Sequence, residues 1–297
     1  MTITPAVPGV EGVVHKTAHV NGTQLHYVSA GSAGSPMLLV HGFPESWWAF
    51  RSLIPLLAAR HQVFAVDLRG FGDSATAEDQ YDSTVAAQDL HQFITHLGLG
   101  PVHLTAQDIA GGAAFRLAAL HPHDVRSFTA IEMGLAGFGL EALADVTHGG
   151  SWHIGVLAAP GIADLLLSGR ERVVLGTWAY PAMTAVPGAI TERDIDEFAR
   201  TYARPGGWNG AAGLYRSMLT EADQIKTLAQ SSPLRMPTLA IGAAGGAFTA
   251  TTLTQITRGK ITSIQLDDVG HYAAQEAPEQ VADALLAFTE SVEAADT

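Results

Sequence analysis

A repeated alternation constrains this chain more than anything else in it. Short continuous apolar runs are separated by longer stretches with apolar residues at helical spacing. An unbroken apolar run suits a strand buried on both faces, and parallel strands of that kind need helical crossovers between them. The runs fall at Thr23–Val28, Met37–Val40, Val63–Val66, Val102–Leu104, Thr129–Ile131, Thr238–Ile241 and Ile261–Leu266. Helical patterns fall at about 47–59, 84–97, 111–120 and 278–292, the last opening on Pro278, a good first-turn residue. The pattern predicts an α/β fold: a mostly parallel sheet flanked by helices.

From about Gly134 to Asp223 the alternation stops. Helix-like segments near 161–178, 192–203 and 209–222 are broken by Pro181, Pro187 and Pro205-Gly206-Gly207. The stretch is too apolar for a linker, so we expect a helical cap inserted after the sixth strand. The expected organisation is a core from 1–133 and 224–297 with a cap at 134–223.

Composition narrows the partners. The net charge is −13, from 16 basic and 29 acidic residues, a field that repels phosphate backbones and anionic membranes. We expect no nucleic-acid or membrane partner. There is no cysteine, which rules out disulfides and thiolate metal sites. The start, MTITPAVPGVEGVVHK, lacks a basic region followed by a long apolar run, so a cytoplasmic protein is expected. Neither a metal-ligand cluster nor a phosphate loop stands out, so no metal and no cofactor are expected. A homodimer stays open.

Asp108 follows the run VHLT and precedes a helix, with small residues Ala106, Ala110 and Gly111 around it. Taken alone, it reads first as a helix N-cap. The strand–turn–helix setting is also that of a nucleophile elbow, whose usual residue is serine. His41-Gly42-Phe43-Pro44 follows the Met37–Val40 run. There the backbone N–H of Phe43, with that of Ile109, could form a two-donor oxyanion hole, while His41 reads as structural. Gly270-His271 follows the last strand and would bring a base to the same end of the sheet. The loop 242–248, where an orienting acid usually stands, holds no carboxylate, but Glu132 closes an apolar strand at Ala130-Ile131-Glu132. A buried glutamate there needs a partner, and His271 would supply one.

In this order the motifs resemble the α/β-hydrolase fold, and within it the epoxide hydrolase and dehalogenase branch. His41-Gly42-Phe43-Pro44-Glu45-Ser46-Trp47-Trp48 is similar to the family's oxyanion segment. Asp67-Leu68-Arg69-Gly70-Phe71-Gly72-Asp73-Ser74 is similar to the segment after its fourth strand. Ser151-Trp152-His153 and Leu214-Tyr215-Arg216 resemble its two cap positions. The pairing of His153 with Tyr215, and a glutamate after the sixth strand, resembles the Cif-type epoxide hydrolases. The resemblance implies an eight-stranded sheet, a small-molecule epoxide substrate, Asp108 as nucleophile, His271 and Glu132 as base and orienter, and His153 and Tyr215 as ring-opening pair.

A carboxylate makes chemical sense at that elbow. A serine opening an epoxide would leave an ether, which water does not cleave. A carboxylate leaves an ester, which water does cleave. Haloalkane or haloacid dehalogenation shares this ester chemistry. The chain lacks the tryptophan that haloalkane dehalogenases place where Ile109 stands. It also lacks the arginines that fluoroacetate dehalogenases place at the positions of Ile109 and Gly112. A non-catalytic small-molecule binder is the third reading.

Overall fold

A computed structural model of the chain describes residues 9–77 and 80–295. The first eight residues, part of the segment read above for a leader, lie outside the described residues. One eight-stranded sheet forms the centre, in the order β1-β2-β4-β3-β5-β6-β7-β8. The strands are β1 (Val14–Val20), β2 (Thr23–Ala30), β3 (Pro36–Val40), β4 (Gln62–Val66), β5 (Val102–Gln107), β6 (Val125–Ile131), β7 (Thr238–Gly242) and β8 (Ile261–Gln265). β2 pairs antiparallel with β1 and β4, and every pair from β4 to β8 is parallel. β3, β5 and β7 are almost wholly buried, which is why they read as unbroken apolar runs.

Three expectations need correction. The residue reading gave seven strands; β1 is the missing one. Only Ala18 and Val20 of VHKTAHV are buried, so this edge strand carries little apolar signal. It is held by its hairpin with β2 across Asn21-Gly22, both at positive φ, as such a tight turn requires. The helix read at 47–59 begins as a 3-10 turn, Trp47–Phe50, and becomes α1 only at Leu53–Ala58. The segment read at 161–178 is not one helix. It is α5 (Ile162–Leu167), a turn through Gly169 (φ 76°), α6 (Glu171–Val174) and a π-helical turn at Leu175–Ala179.

The remaining helices are α2 (Ser83–Leu97), α3 (Gly111–Leu120), α4 (Trp152–Ala158), α7 (Tyr180–Met183), α8 (Glu192–Tyr202), α9 (Asn209–Thr220), α10 (Ala222–Ser231), α11 (Phe248–Ile256), α12 (Ala273–Glu276) and α13 (Pro278–Ala295). Between β6 and β7 the described residues form helices and turns and no strand. The pattern read at 209–222 splits at Glu221 into α9 and α10.

The helices after β6 are fastened to the sheet by polar anchors. Trp48 Nε1 donates to Asp194 Oδ1 (2.8 Å) and Arg51 donates to its Oδ2 (2.7 Å). Arg200 grips Asp73 with two bonds of 2.8 Å. Asp194 also closes the capping box of α8 with Thr191, so one carboxylate starts the helix and docks it. These anchors hold α8 against the carboxyl end of the sheet. None of the described helices is long and apolar enough to cross a membrane.

Candidate active site

The strand order reverses beside β3, whose neighbours are β4 and β5. Ligands of open parallel sheets bind at such a switch point, outside the carboxyl ends of the strands. Asp108 leaves the end of β5 there, and the turn 41–44 leaves the end of β3 beside it.

Asp108 has φ 53°, a left-handed conformation costing about 1–3 kcal/mol for a residue with a side chain. Its carboxylate does not cap α3, which has no side-chain cap. Oδ2 instead accepts the N–H of Phe43 at 2.9 Å, and Oδ1 lies 3.6 Å from His271 Nε2. Burial works to raise the Asp108 pKa. The hydrogen bond and charge of His271 outweigh it, with the N–H groups of Phe43 and Ile109, and hold the carboxyl below its ordinary value. Both backbone donors foreseen for the oxyanion hole therefore point at this carboxyl group. Gly42 makes the approach feasible: a Cβ there would sit 2.6 Å from Asp108 Cβ.

Behind the turn lies a residue that sequence reasoning quoted but passed over. Glu45 is fully buried and accepts from Gly42 N–H (3.1 Å), Gln107 Nε2 (3.1 Å to Oε2) and Gln275 Nε2 (2.8 Å). Burial pushes its pKa up to about 7. His41 is wholly buried and bridges its own turn to Leu68 N–H, as a structural histidine should.

Glu132 leaves β6 with φ 47° and is 8% exposed, not a solvent-facing strand end. Its Oε2 lies 3.3 Å from His271 Nδ1. The acid-free loop after β7 takes part differently than expected: it donates Ala243 N–H (2.6 Å) and Gly245 N–H (2.8 Å) to the Glu132 carboxylate. The loop supplies backbone donors to an acid that comes from β6. His271 thus lies between two carboxylates. Burial alone would lower its pKa, but Asp108 and Glu132 raise it to about 10. Its loop is pinned by Glu276, whose Oε2 accepts from Gly270 (3.0 Å), Ala185 (2.7 Å) and Val186 (2.9 Å).

Across the cavity, His153 on α4 and Tyr215 on α9 meet, Nε2 to hydroxyl, at 3.0 Å. Ser151 holds the other ring nitrogen at 2.6 Å, and Phe43 stacks on the ring at 5.6 Å. Burial drives the His153 pKa down to about 4 and raises that of Tyr215 well above its ordinary value. Near neutral pH the histidine is uncharged and the tyrosine keeps its proton. The cavity measures ≈ 220 Å³ and is lined by Asp108, His153, Tyr215 and His271 with Leu140, Leu143, Ile154, Met183 and Met218. Among the described residues no lysine or arginine lines it.

Among the described residues, two groups could hold a metal ion, and neither includes a residue of this cavity. In the first, His26, Asp67 and Asp73 are already committed. His26 Nδ1 bonds Asp67 (2.7 Å), Asp67 accepts Trp47 N–H (2.7 Å), and Arg200 occupies Asp73. The second is His91, His121 and Asp124.

The sequence matches the alpha/beta hydrolase fold family over residues 35–278. A soluble epoxide hydrolase from Corynebacterium sp. (strain C12) is 29% identical over 288 residues, covering 93% of this chain and 97% of that protein. Cfl2 of Burkholderia cenocepacia superposes with a TM-score of 0.84 at 28% identity, over 96% of this chain and 97% of that one. The Cif epoxide hydrolase of Acinetobacter nosocomialis superposes with a TM-score of 0.87 over 95% of this chain and 90% of that one, and at 23% identity that likeness speaks for the fold. With the strand order, the turn at Asp108 and the matched span in agreement, the chain belongs to the alpha/beta hydrolase fold family.

Proposed function

We propose that this chain is an epoxide hydrolase that converts an epoxide and water to a vicinal diol through an ester on Asp108. One observation carries the reading. An ionised carboxylate at the strand–helix turn, 3.6 Å from an imidazole, shares an apolar cavity with a protonated tyrosine hydroxyl. The similarity to a Corynebacterium protein named soluble epoxide hydrolase supports it. We take residues 134–223 as the cap, which brings His153 and Tyr215 over the sheet.

The cycle balances with these groups alone. Asp108 attacks a ring carbon, the C–O bond breaks, and the new alkoxide takes the Tyr215 proton. Neutral His153, its Nδ1 accepting from Ser151, presents Nε2–H to the same oxygen. This role is a hydrogen-bond donor's, and the proton comes from Tyr215. Esterification removes the Asp108 charge that helped hold His271 protonated, so the His271 pKa falls. The imidazolium gives its proton back to Tyr215 and becomes the neutral base. Water, activated by His271, adds to the ester carbonyl, whose oxyanion rests on the N–H groups of Phe43 and Ile109. Collapse returns the His271 proton to the leaving diol oxygen. The Asp108 carboxyl then reprotonates His271.

The apolar lining favours a substrate whose epoxide carries a hydrocarbon arm, and among the described residues no lysine or arginine lines the cavity to grip a haloacid. A panel of terminal and internal epoxides, with haloalkanes and 2-haloacids beside them, tests the reading. Diol from epoxides without halide from the others is expected. Halide release with no diol would assign the aspartate to dehalogenation.

A further inference from the structure

We infer that His91, His121 and Asp124 form a surface site for a borderline divalent transition ion such as Zn²⁺, Ni²⁺ or Cu²⁺. Sequence spacing hides the group, because His91 comes from α2, thirty residues before the other two. His121 stands at the end of α3, and Asp124 ends the 3-10 turn Pro122–Asp124 that follows. Their donor atoms all lie within 4.8 Å of one another.

Two contacts bring the three side chains together. His91 Nδ1 bonds Asp124 Oδ2 at 2.6 Å, which fixes one imidazole against the carboxylate. The His91 and His121 rings stack at 3.6 Å with an 11° tilt. The side chains of His91 and Asp124 are 28% and 21% exposed, so an ion from solvent reaches them.

Two imidazoles with one carboxylate suit Zn²⁺, Ni²⁺ and Cu²⁺ and discriminate against Mg²⁺ and Ca²⁺, which want oxygen donors. Water completes the coordination. The site lies one helix length from Asp108, about 15 Å along the ten residues of α3. It would therefore clasp α2 to the α3–β6 turn and leave the reaction alone.

The test uses the full chain without an affinity tag, stripped with chelator and titrated calorimetrically with NiCl₂ or ZnCl₂. One ion per chain is expected, with a rise in Tm of roughly 3–8 °C at about a hundredfold excess over Kd. Turnover should be unchanged by the metal. His121→Ala and His91→Ala should each weaken binding at least about tenfold, the scale of losing one ligand shell contact. MgCl₂ should not bind, and Cu²⁺ should show two imidazole nitrogens by electron paramagnetic resonance. If His91→Ala does not fold, the partly exposed His121 still decides the matter through His121→Ala and His121→Gln. No binding by the parent chain, or binding undiminished in the His121 variants, overturns the assignment.

Discussion

Asp108→Asn should abolish turnover while the fold, read by circular dichroism, stays intact. An amide cannot attack a saturated carbon as a carboxylate does. His271→Gln should permit the first step and stall the second, so that the substrate mass appears on the peptide containing Asp108. An adduct on any other peptide would relocate the nucleophile. Tyr215→Phe should slow ring opening by about 10²–10⁴, the usual worth of a general acid. His153→Phe should cost less, because burial already leaves that ring without an extra proton to give. The pH profile follows from the same groups. Ester hydrolysis, followed in single-turnover experiments, should keep its rate well below pH 10, because esterified Asp108 no longer holds the His271 pKa high. A hydrolysis step that stayed silent until about pH 10 would show that the charge of Asp108 is not what sets the His271 pKa.

At the scale of elements, the turn 41–44 is the part with least tolerance. Gly42→Ala puts a methyl group 3.0 Å from Asp108 Oδ2 and 3.1 Å from the Gln107 carbonyl, so the turn must retreat from the elbow. A loss of about 10²–10³ in kcat is expected, comparable to removing one oxyanion donor, with KM changed far less. Parent-like kcat would mean that the Phe43 N–H is not used.

The strands and the elbow were legible because burial on both faces leaves an unbroken apolar run, and because Ala106, Ala110 and Gly111 announce a sharp turn. Glu132 was legible as a charge with no business at the end of an apolar strand. β1 was not, since its exposed edge carries almost no apolar pattern. Nor were Glu45 and Glu276. Glu276 is held by backbone N–H groups in loops, and Glu45 by the Gly42 N–H and the side-chain amides of Gln107 and Gln275, far apart in the chain, so neither has a residue signature. The broken helices of 161–183 were also hidden, because a helical period continues across the turn at Gly169.

For the whole molecule, stability should depend on pH on both sides of neutrality. His103 and His153 are buried, and their pKa values are driven down to about 4, His103 by burial and then by His61. Between about pH 6.5 and 4 the unfolded chain binds protons that the native state refuses, so stability is lost as pH falls through that window. Each histidine contributes up to about 3 kcal/mol, at about 1.4 kcal/mol per pH unit. Glu45 opposes one of them. With its pKa raised to about 7, it favours the folded state at low pH and loses that advantage as pH rises from 4.5. His271 acts above neutrality, where stability falls as pH rises toward about 10. Urea midpoints should therefore decline from pH 6.5 to 4, and His103→Asn should flatten that decline while leaving the alkaline limb. A decline of equal steepness in His103→Asn would place the acid-sensitive group elsewhere.

The central claim is that the Asp108 carboxylate bonds to substrate carbon and that water then attacks its own carbonyl. One turnover in H₂¹⁸O, with enzyme in excess over an epoxide, followed by digestion and mass spectrometry, tests it directly. The account predicts ¹⁸O in the carboxyl of Asp108 and unlabelled oxygen in that turnover's diol. Label in the diol, with the Asp108 peptide unlabelled, would contradict it.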